Sequence, residues 1–317
     1  MVPTAPVISV VVPLYQEEKR VDELLDAVTQ TLEGIGEPWE IVLVDDGSTD
    51  ATWVRLQGQA KHRANLSAIR LSRNFGKEAA LCAGLEAATG EATVVMDGDL
   101  QHPPDLIPAM VARWRETGCD VVEAVKTGHR RDATAGRLFG RFFTWSMRRF
   151  SGIDLRGASD FKLINRRVLD AWLRLGERNL FFRGMVAWLG FRHEPIEFEV
   201  PRALQRRSRW STGRLIDLGT TGITAFSPVP LRAASLLGVV FLVFAIVLGI
   251  QSLWMKFDGH AVEGFTTVII LQLLIGSLLM ILLGIIGEYI ARIYEEVKGR
   301  PRYLVADEIR RGDDSAS

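Results

Sequence analysis

Apolar residues along the chain follow two regimes. In the first, short β-branched runs alternate with amphipathic stretches. Residues 7–15 (VISVVVPLY) form such a run, after which Val21, Leu24, Leu25 and Val28 recur at helical spacing. Further strands are expected at 39–44 (WEIVLV), 66–71, 92–96 (ATVVM) and 119–125 (CDVVEAV), with helical segments at about 50–62, 77–88 and 105–117. Apolar strands separated by helices predict a mostly parallel α/β sheet covered on both faces. Such sheets bind ligands in the crevice beyond the carboxyl ends of their strands. Acidic and turn residues gather at those ends here: Asp45-Asp46-Gly47-Ser48 after the second strand and Asp97-Gly98-Asp99 after the fourth.

The second regime is two uncharged stretches, 233–254 and 264–287. As helices each reaches roughly 30 Å, the thickness of a bilayer's hydrocarbon core. Six arginines (202, 206, 207, 209, 214 and 232) precede the first, and Arg292, Lys298, Arg300 and Arg302 follow the second, whereas the loop between them holds only Lys256. That asymmetry predicts a transmembrane hairpin with both flanks cytoplasmic. Residues 1–6 carry no basic segment of the signal-peptide kind, so the part before the hairpin is expected to stay in the cytoplasm. The expected organisation is a catalytic unit over 1–230, a membrane hairpin over 231–290 and a cytoplasmic tail over 291–317. Within the first unit, 134–150 and 210–226 interleave aromatic and apolar residues with arginines or polar residues, as interfacial amphipathic helices do.

Composition narrows the chemistry. Lys+Arg and Asp+Glu both number 38, which argues against a nucleic-acid binder relying on bulk positive charge. Two cysteines, Cys82 and Cys119, leave no disulfide scaffold and no Cys-based zinc site. Neither GxGxxG after the first strand nor GxxxxGK[ST] is present, so a dinucleotide-binding enzyme and a P-loop NTPase are disfavoured. A diphosphate can still be neutralised by a divalent metal on a few carboxylates. Asp97 and Asp99 flank Gly98 after a buried strand, and the Gln101 amide oxygen is a further hard donor. Alternatively the segment is a turn leading into the helix that starts at Pro103-Pro104. His102 reads as a loop residue. Asp45-Asp46-Gly47-Ser48 reads equally as a helix-capping turn.

In this order and spacing, VVPLYQEE, VDDGSTD, SRNFGKEAALCAGLEAATG and MDGDLQHPP resemble the family 2 glycosyltransferases of GT-A fold. SGIDLRGASDFKLINRRVL, ERNLFFRGMVAWLGF and GITAFSPVPLR, followed by two spans, are similar to the branch that acts on polyprenyl phosphates. The resemblance implies an inverting, metal-dependent transfer of one sugar from a nucleotide-sugar to polyprenyl phosphate at the cytoplasmic membrane face. It implies Mg²⁺ or Mn²⁺ on Asp97, Asp99 and Gln101, and base contacts from Pro13, Tyr15 and Glu17. Asp46 falls at the base or ribose, with Asp45 and Gly98 also in the substrate-binding set, and Asp160 near the sugar and acceptor, unless it merely caps a turn or pairs with Arg156 or Arg183. Lys126 stands where the family usually has arginine near the phosphates, and Arg131 joins the substrate-binding set. The stretch RALQRRSRWS departs from the branch's Gly-x-Ser-Lys, so Arg207 and Arg209 are candidates among several arginines for closing on the donor. Expected partners are the donor, the lipid acceptor, the bilayer and possible further copies of the chain, with no nucleic acid. A processive polysaccharide synthase is the rival, yet Gln205 lies one residue too far from Arg209-Trp210 for its QxxRW motif. A non-catalytic membrane scaffold is the other rival, disfavoured because all four carboxylates are kept.

Overall fold

A computed structural model describes residues 5–126, 159–177 and 181–198, and positions 238–311 apart from 239, 242, 245, 252, 253, 256 and 259–263. The chain divides into two compact units, one of residues 1–144, 153–209 and 301–317, the other of 145–152 and 210–300. The expected interfacial helices at 134–150 and 210–226 lie outside the described residues, as do Arg131, Arg207 and Arg209.

The first unit is built on eight strands: β1 (Ile8–Leu14), β2 (Trp39–Asp45), β3 (Leu66–Leu71), β4 (Ala92–Val95), β5 (Val121–Lys126), β6 (Lys162–Asn165), β7 (His193–Phe198) and β8 (Val305–Ile309). They form one sheet in the order β7-β5-β6-β4-β1-β2-β3-β8. The central strands are parallel, β1 lying between β2 and β4 with β3 beyond β2. β6 runs antiparallel to both β4 and β5, and β8 antiparallel to β3, so the sheet is mixed. Val10, Val11, Val12, Val42, Leu43, Val44, Val94 and Val95 are fully or almost fully buried, as the apolar runs require of strands covered on both faces. Pro13 sits in the central strand but opposite β2, where β1 has already outrun the paired part of β4. Its missing N–H therefore costs no ladder bond there.

Helices α1 (Val21–Glu33), α2 (Thr52–Ala60), α3 (Lys77–Ala87) and α4 (Ile107–Thr117) connect the parallel strands, with a 3₁₀ turn at Pro104–Leu106 ahead of α4. α1 buries Val21, Leu24, Leu25, Val28 and Leu32 along one stripe. α3 differs, burying every residue from Ala79 to Leu85. Small residues let it lie flush on the sheet: a Cβ on Gly84 would stand 2.4 Å from Val11 Cγ1. α5 (Arg166–Leu173), N-capped by the Asn165 side chain accepting from the Val168 N–H, and α6 (Phe182–Trp188) follow β6.

In the second unit α7 (Phe265–Val297) is a 33-residue helix. Its segment Leu274–Val297 is long and apolar enough to cross a membrane, and none of it is buried in the protein. The helix outlasts the uncharged stretch ending at 287 because EYIARIYEEV contains good helix formers, and it stops before Gly299 (φ 65°) and Pro301. The described positions from 238 to 257 are helical too, and Gly238, Phe241 and Phe244 share an apolar cleft with Ile275, Leu279 and Leu282.

Candidate active site

The carboxyl ends of β1, β2 and β4 lie side by side, with Leu14 registered against Asp45 and the Met96 N–H donating to the Val11 carbonyl. The loops leaving β1 and β4 each hold a non-glycine residue with positive φ, Gln16 at 55° and Leu100 at 59°. Such conformations cost on the order of 1–3 kcal/mol and cluster where a loop is shaped for a task. Gly98 packs closely: a Cβ there would meet Leu14 Cδ2 at 2.3 Å, so that buried side chain would have to shift. The Asp97–Asp99 loop is thereby pressed onto the end of β1.

The two carboxylates of the β2 loop behave differently. Asp46 accepts from the N–H groups of Phe75 (2.8 Å) and Gly76 (2.9 Å), so it shapes the loop that starts α3. Asp45 is fully buried and accepts from the Ser48 N–H at 3.0 Å through Oδ1. Its Oδ2 has no hydrogen-bond partner, and Arg70 Nε stands 3.6 Å away. Burial raises the pKa of both above the ordinary carboxylate range. Tyr15 is exposed at the rim of the crevice, and the Glu17 N–H donates to Thr52 Oγ1 while its carboxylate pairs with Arg20.

At the β4 loop, Asp99 Oδ1 accepts from the Gln101 N–H at 3.0 Å. His102 is a loop residue, as expected, and it is buried: its Nδ1 accepts the Asp97 N–H and its ring stacks on Phe161 with centroids 5.1 Å apart. Asp97 and Asp160 are joined by a residue the pattern of the sequence did not single out. The Lys77 ammonium contacts Asp97 Oδ1 and, at 2.5 Å, Asp160 Oδ2. Arg183 holds the same Asp160 through two bonds, Nε to Oδ1 at 2.6 Å and Nη2 to Oδ2 at 2.8 Å. Though Asp160 is buried, the Arg183 hydrogen bonds and the Lys77 charge keep it well below the usual carboxylate range. Of the two arginines expected as partners for Asp160, the structure brings it Arg183; Arg156 lies outside the described residues. Beside this group Glu78 accepts the Phe182 N–H at 2.9 Å, and burial pushes its carboxyl up to about 7.

Lys77 and Glu78 had one legible signal. From Ala79 to Leu85 α3 is uncharged and buried throughout, so the Lys-Glu pair that opens it is set against partners at the sheet's end. Lys126 closes β5, paired with Phe198 of β7. Among the described residues no three His, Cys, Asp or Glu side chains are gathered as a metal cage. Asp97 and Asp99 nevertheless suit a hard cation of the Mg²⁺ or Mn²⁺ kind, which is commonly held by one or two carboxylates with substrate phosphates completing the shell.

The pattern of glycosyl transferase family 2 matches residues 9–171. The uncharacterized glycosyltransferase YkcC of Bacillus subtilis (strain 168) is 35% identical over 303 residues, which cover 94% of this chain and 92% of its own. The bactoprenol glucosyl transferase of Shigella phage SfX is 34% identical over 306 residues, 94% of this chain and 98% of its own. Among solved structures, glucosyl-3-phosphoglycerate synthase from Mycobacterium tuberculosis in complex with uridine-diphosphate has a TM-score of 0.49 and 20% identity, covering 68% of this chain and 79% of that one.

Proposed function

Since the chain belongs to glycosyl transferase family 2, we propose that it moves a single sugar from a nucleotide-sugar to polyprenyl phosphate at the cytoplasmic face of a membrane, inverting the anomeric carbon. Relatives named bactoprenol glucosyl transferase, aligned over nearly the whole chain, favour undecaprenyl phosphate as acceptor and a glucose donor.

One observation carries the membrane part of this reading. The unburied apolar α7 is inserted between β7 and β8, two strands of one sheet. A segment that leaves a sheet and returns to it must begin and end on the same side of a membrane. It therefore crosses an even number of times, which supports 233–254 as the partner span and both flanks as cytoplasmic. A glycosyltransferase tethered in this way meets a soluble activated sugar and an acceptor dissolved in the bilayer.

The acceptor phosphate is anionic at neutral pH and needs no strong base. Catalysis then rests on alignment and on charge at the leaving group. A divalent cation held by Asp97 and Asp99, with Gln101 as a further oxygen donor, would neutralise the departing diphosphate. The unsatisfied Asp45 Oδ2 suits an N–H of the nucleobase, while Pro13, Tyr15 and Glu17 wall that end of the crevice. Asp160, ionised and clamped, holds the cationic heads of Arg183 and Lys77 where an anionic acceptor can meet them. Lys126, Arg131, Arg207 and Arg209 are further candidates for the phosphates.

Membranes containing the protein should be offered labelled UDP-glucose, UDP-N-acetylhexosamine and GDP-mannose in turn, each with polyprenyl phosphate. The reading predicts that label from one donor passes into organic solvent. Label found only in an alcohol-insoluble polymer would make the enzyme a processive synthase, and no turnover of any donor would leave a scaffold.

A further inference from the structure

We propose that Lys77 is the resident cation of the donor-free site, holding Asp97 until the divalent ion arrives with the nucleotide and displaces it toward Asp160. The inference rests on the reading of Asp97 as a metal carboxylate. Lys77 opens α3 directly after Gly76, whose φ of 99° and whose N–H bond to Asp46 fix where the side chain begins. From there the ammonium spans two carboxylates on different strands' ends, Asp97 and Asp160.

The two carboxylates do not depend on it equally. Asp160 keeps a two-point bond to Arg183 whether or not Lys77 is present. Asp97 has the neighbouring His102, whose Nδ1 takes the Asp97 backbone N–H and stands 3.9 Å from its carboxylate, farther than the Lys77 ammonium. Lys77 is thus the cation in direct contact with Asp97, with the Arg183 charge acting on it from farther away. An ammonium and a divalent ion on one carboxylate repel, and the repulsion is large where water is partly excluded. The Lys77 side chain is 39% exposed and sits on a flexible four-carbon stem, so its head can leave Asp97 for Asp160 without movement of α3.

Two consequences follow. Without nucleotide the metal competes with a tethered ammonium and binds weakly, whereas the donor's diphosphate supplies the extra negative charge that tips the exchange. Once released, Lys77 strengthens the positive group around Asp160, on the side proposed to meet the acceptor phosphate. Donor binding would thereby prepare the acceptor side.

The test is Mn²⁺ binding to the purified full-length protein in detergent, read from the electron paramagnetic resonance of free Mn²⁺, alone and with UDP or GDP. Lys77→Met and Lys77→Gln should bind Mn²⁺ alone about tenfold more tightly than the wild type, the size expected when a neighbouring like charge is removed. Lys77→Arg, which keeps the charge, should stay close to the wild type. With nucleotide present the advantage of the neutral variants should shrink. Unchanged or weaker Mn²⁺ binding by both neutral variants, with wild-type circular dichroism, would overturn the proposal. Asp97→Asn separates this from failure of the metal reading: if it binds Mn²⁺ as the wild type does, with or without nucleotide, Asp97 is no metal carboxylate and both ideas fall.

Discussion

Two carboxyl groups side by side at the start of α3 are set in opposite directions by their surroundings. Asp160 is held ionised by Arg183 and Lys77, and its pKa is lowered. Its charge therefore adds stability above the unfolded value of about 3.9, which is lost only as pH falls below that value toward the folded one. Between pH ~5 and ~9 it has no proton to take up or give, so a proton-accepting role is disfavoured and an orienting one favoured. Asp160→Asn should lower kcat by ~10²-fold with no rescue as pH rises, in the range found when a preorganised charge is removed. A mutant recovering at alkaline pH would restore the proton-accepting role. Glu78 moves the other way, up to about 7, because burial outweighs its bond from the Phe182 N–H. Its neutral form is the one the fold favours, so the stabilisation is complete below the unfolded pKa and is lost as pH rises through about 7. Glu78→Gln keeps an acceptor for Phe182 and removes the titration. Its Tm relative to the wild type should therefore rise from pH ~4.5 to ~7 and then level off, and a pH-independent difference would contradict this account.

At the scale of elements, the parallel strands and the helices between them were legible because burial on both faces leaves unbroken β-branched runs. β1 to β4 and α1 to α4 fall within a few residues of the expected ranges. Neither edge strand was expected. β7 (HEPIEF) contains a proline and only one fully buried side chain, and β8 (VADEI) is largely exposed. Edge strands are kept polar, so a search for apolar runs passes over them. Within 291–317, expected to be only a tail, Val305–Ile309 add an edge strand to the sheet, and Arg302 and Tyr303 bond to α3. Arg302 donates to Cys82 Sγ at 3.2 Å and to the Leu175 carbonyl, the Tyr303 hydroxyl donates to Glu86 at 2.6 Å, and Trp53 Nε1 donates to Asp307. Arg302→Ala removes the bond to the half-buried Leu175 carbonyl and the packing of the stem. It should cost about 2 kcal/mol, a typical loss for a charged donor in such a place, checked by thermal unfolding. A wild-type Tm would mean that the clasp is incidental.

For the whole molecule, the carboxylate loops were visible as motifs, because Asp45-Asp46-Gly47 and Asp97-Gly98-Asp99 combine paired carboxylates with a glycine at strand ends. The Lys77 link between Asp97 and Asp160 was not, since Lys77 lies 83 residues from Asp160 and meets it only through the sheet order, whereas Arg183 was among the expected partners of Asp160 and does bond to it. Topology is testable on its own. Both native cysteines are fully buried, and burial pushes the Cys82 thiol up to about 12, so a membrane-impermeant thiol reagent has little background. Gly259→Cys should react only from outside the cytoplasm and Ser315→Cys only from inside. Labelling of both from one side would contradict the two-span hairpin. The most direct test of the whole reading is the mass of the lipid product formed by purified protein from undecaprenyl phosphate, Mn²⁺ and the donor that labels membranes. The account predicts one sugar per lipid phosphate, a product abolished by EDTA and reduced by orders of magnitude in Asp99→Asn. A ladder of sugars on the lipid, or undiminished product after metal removal, would contradict it.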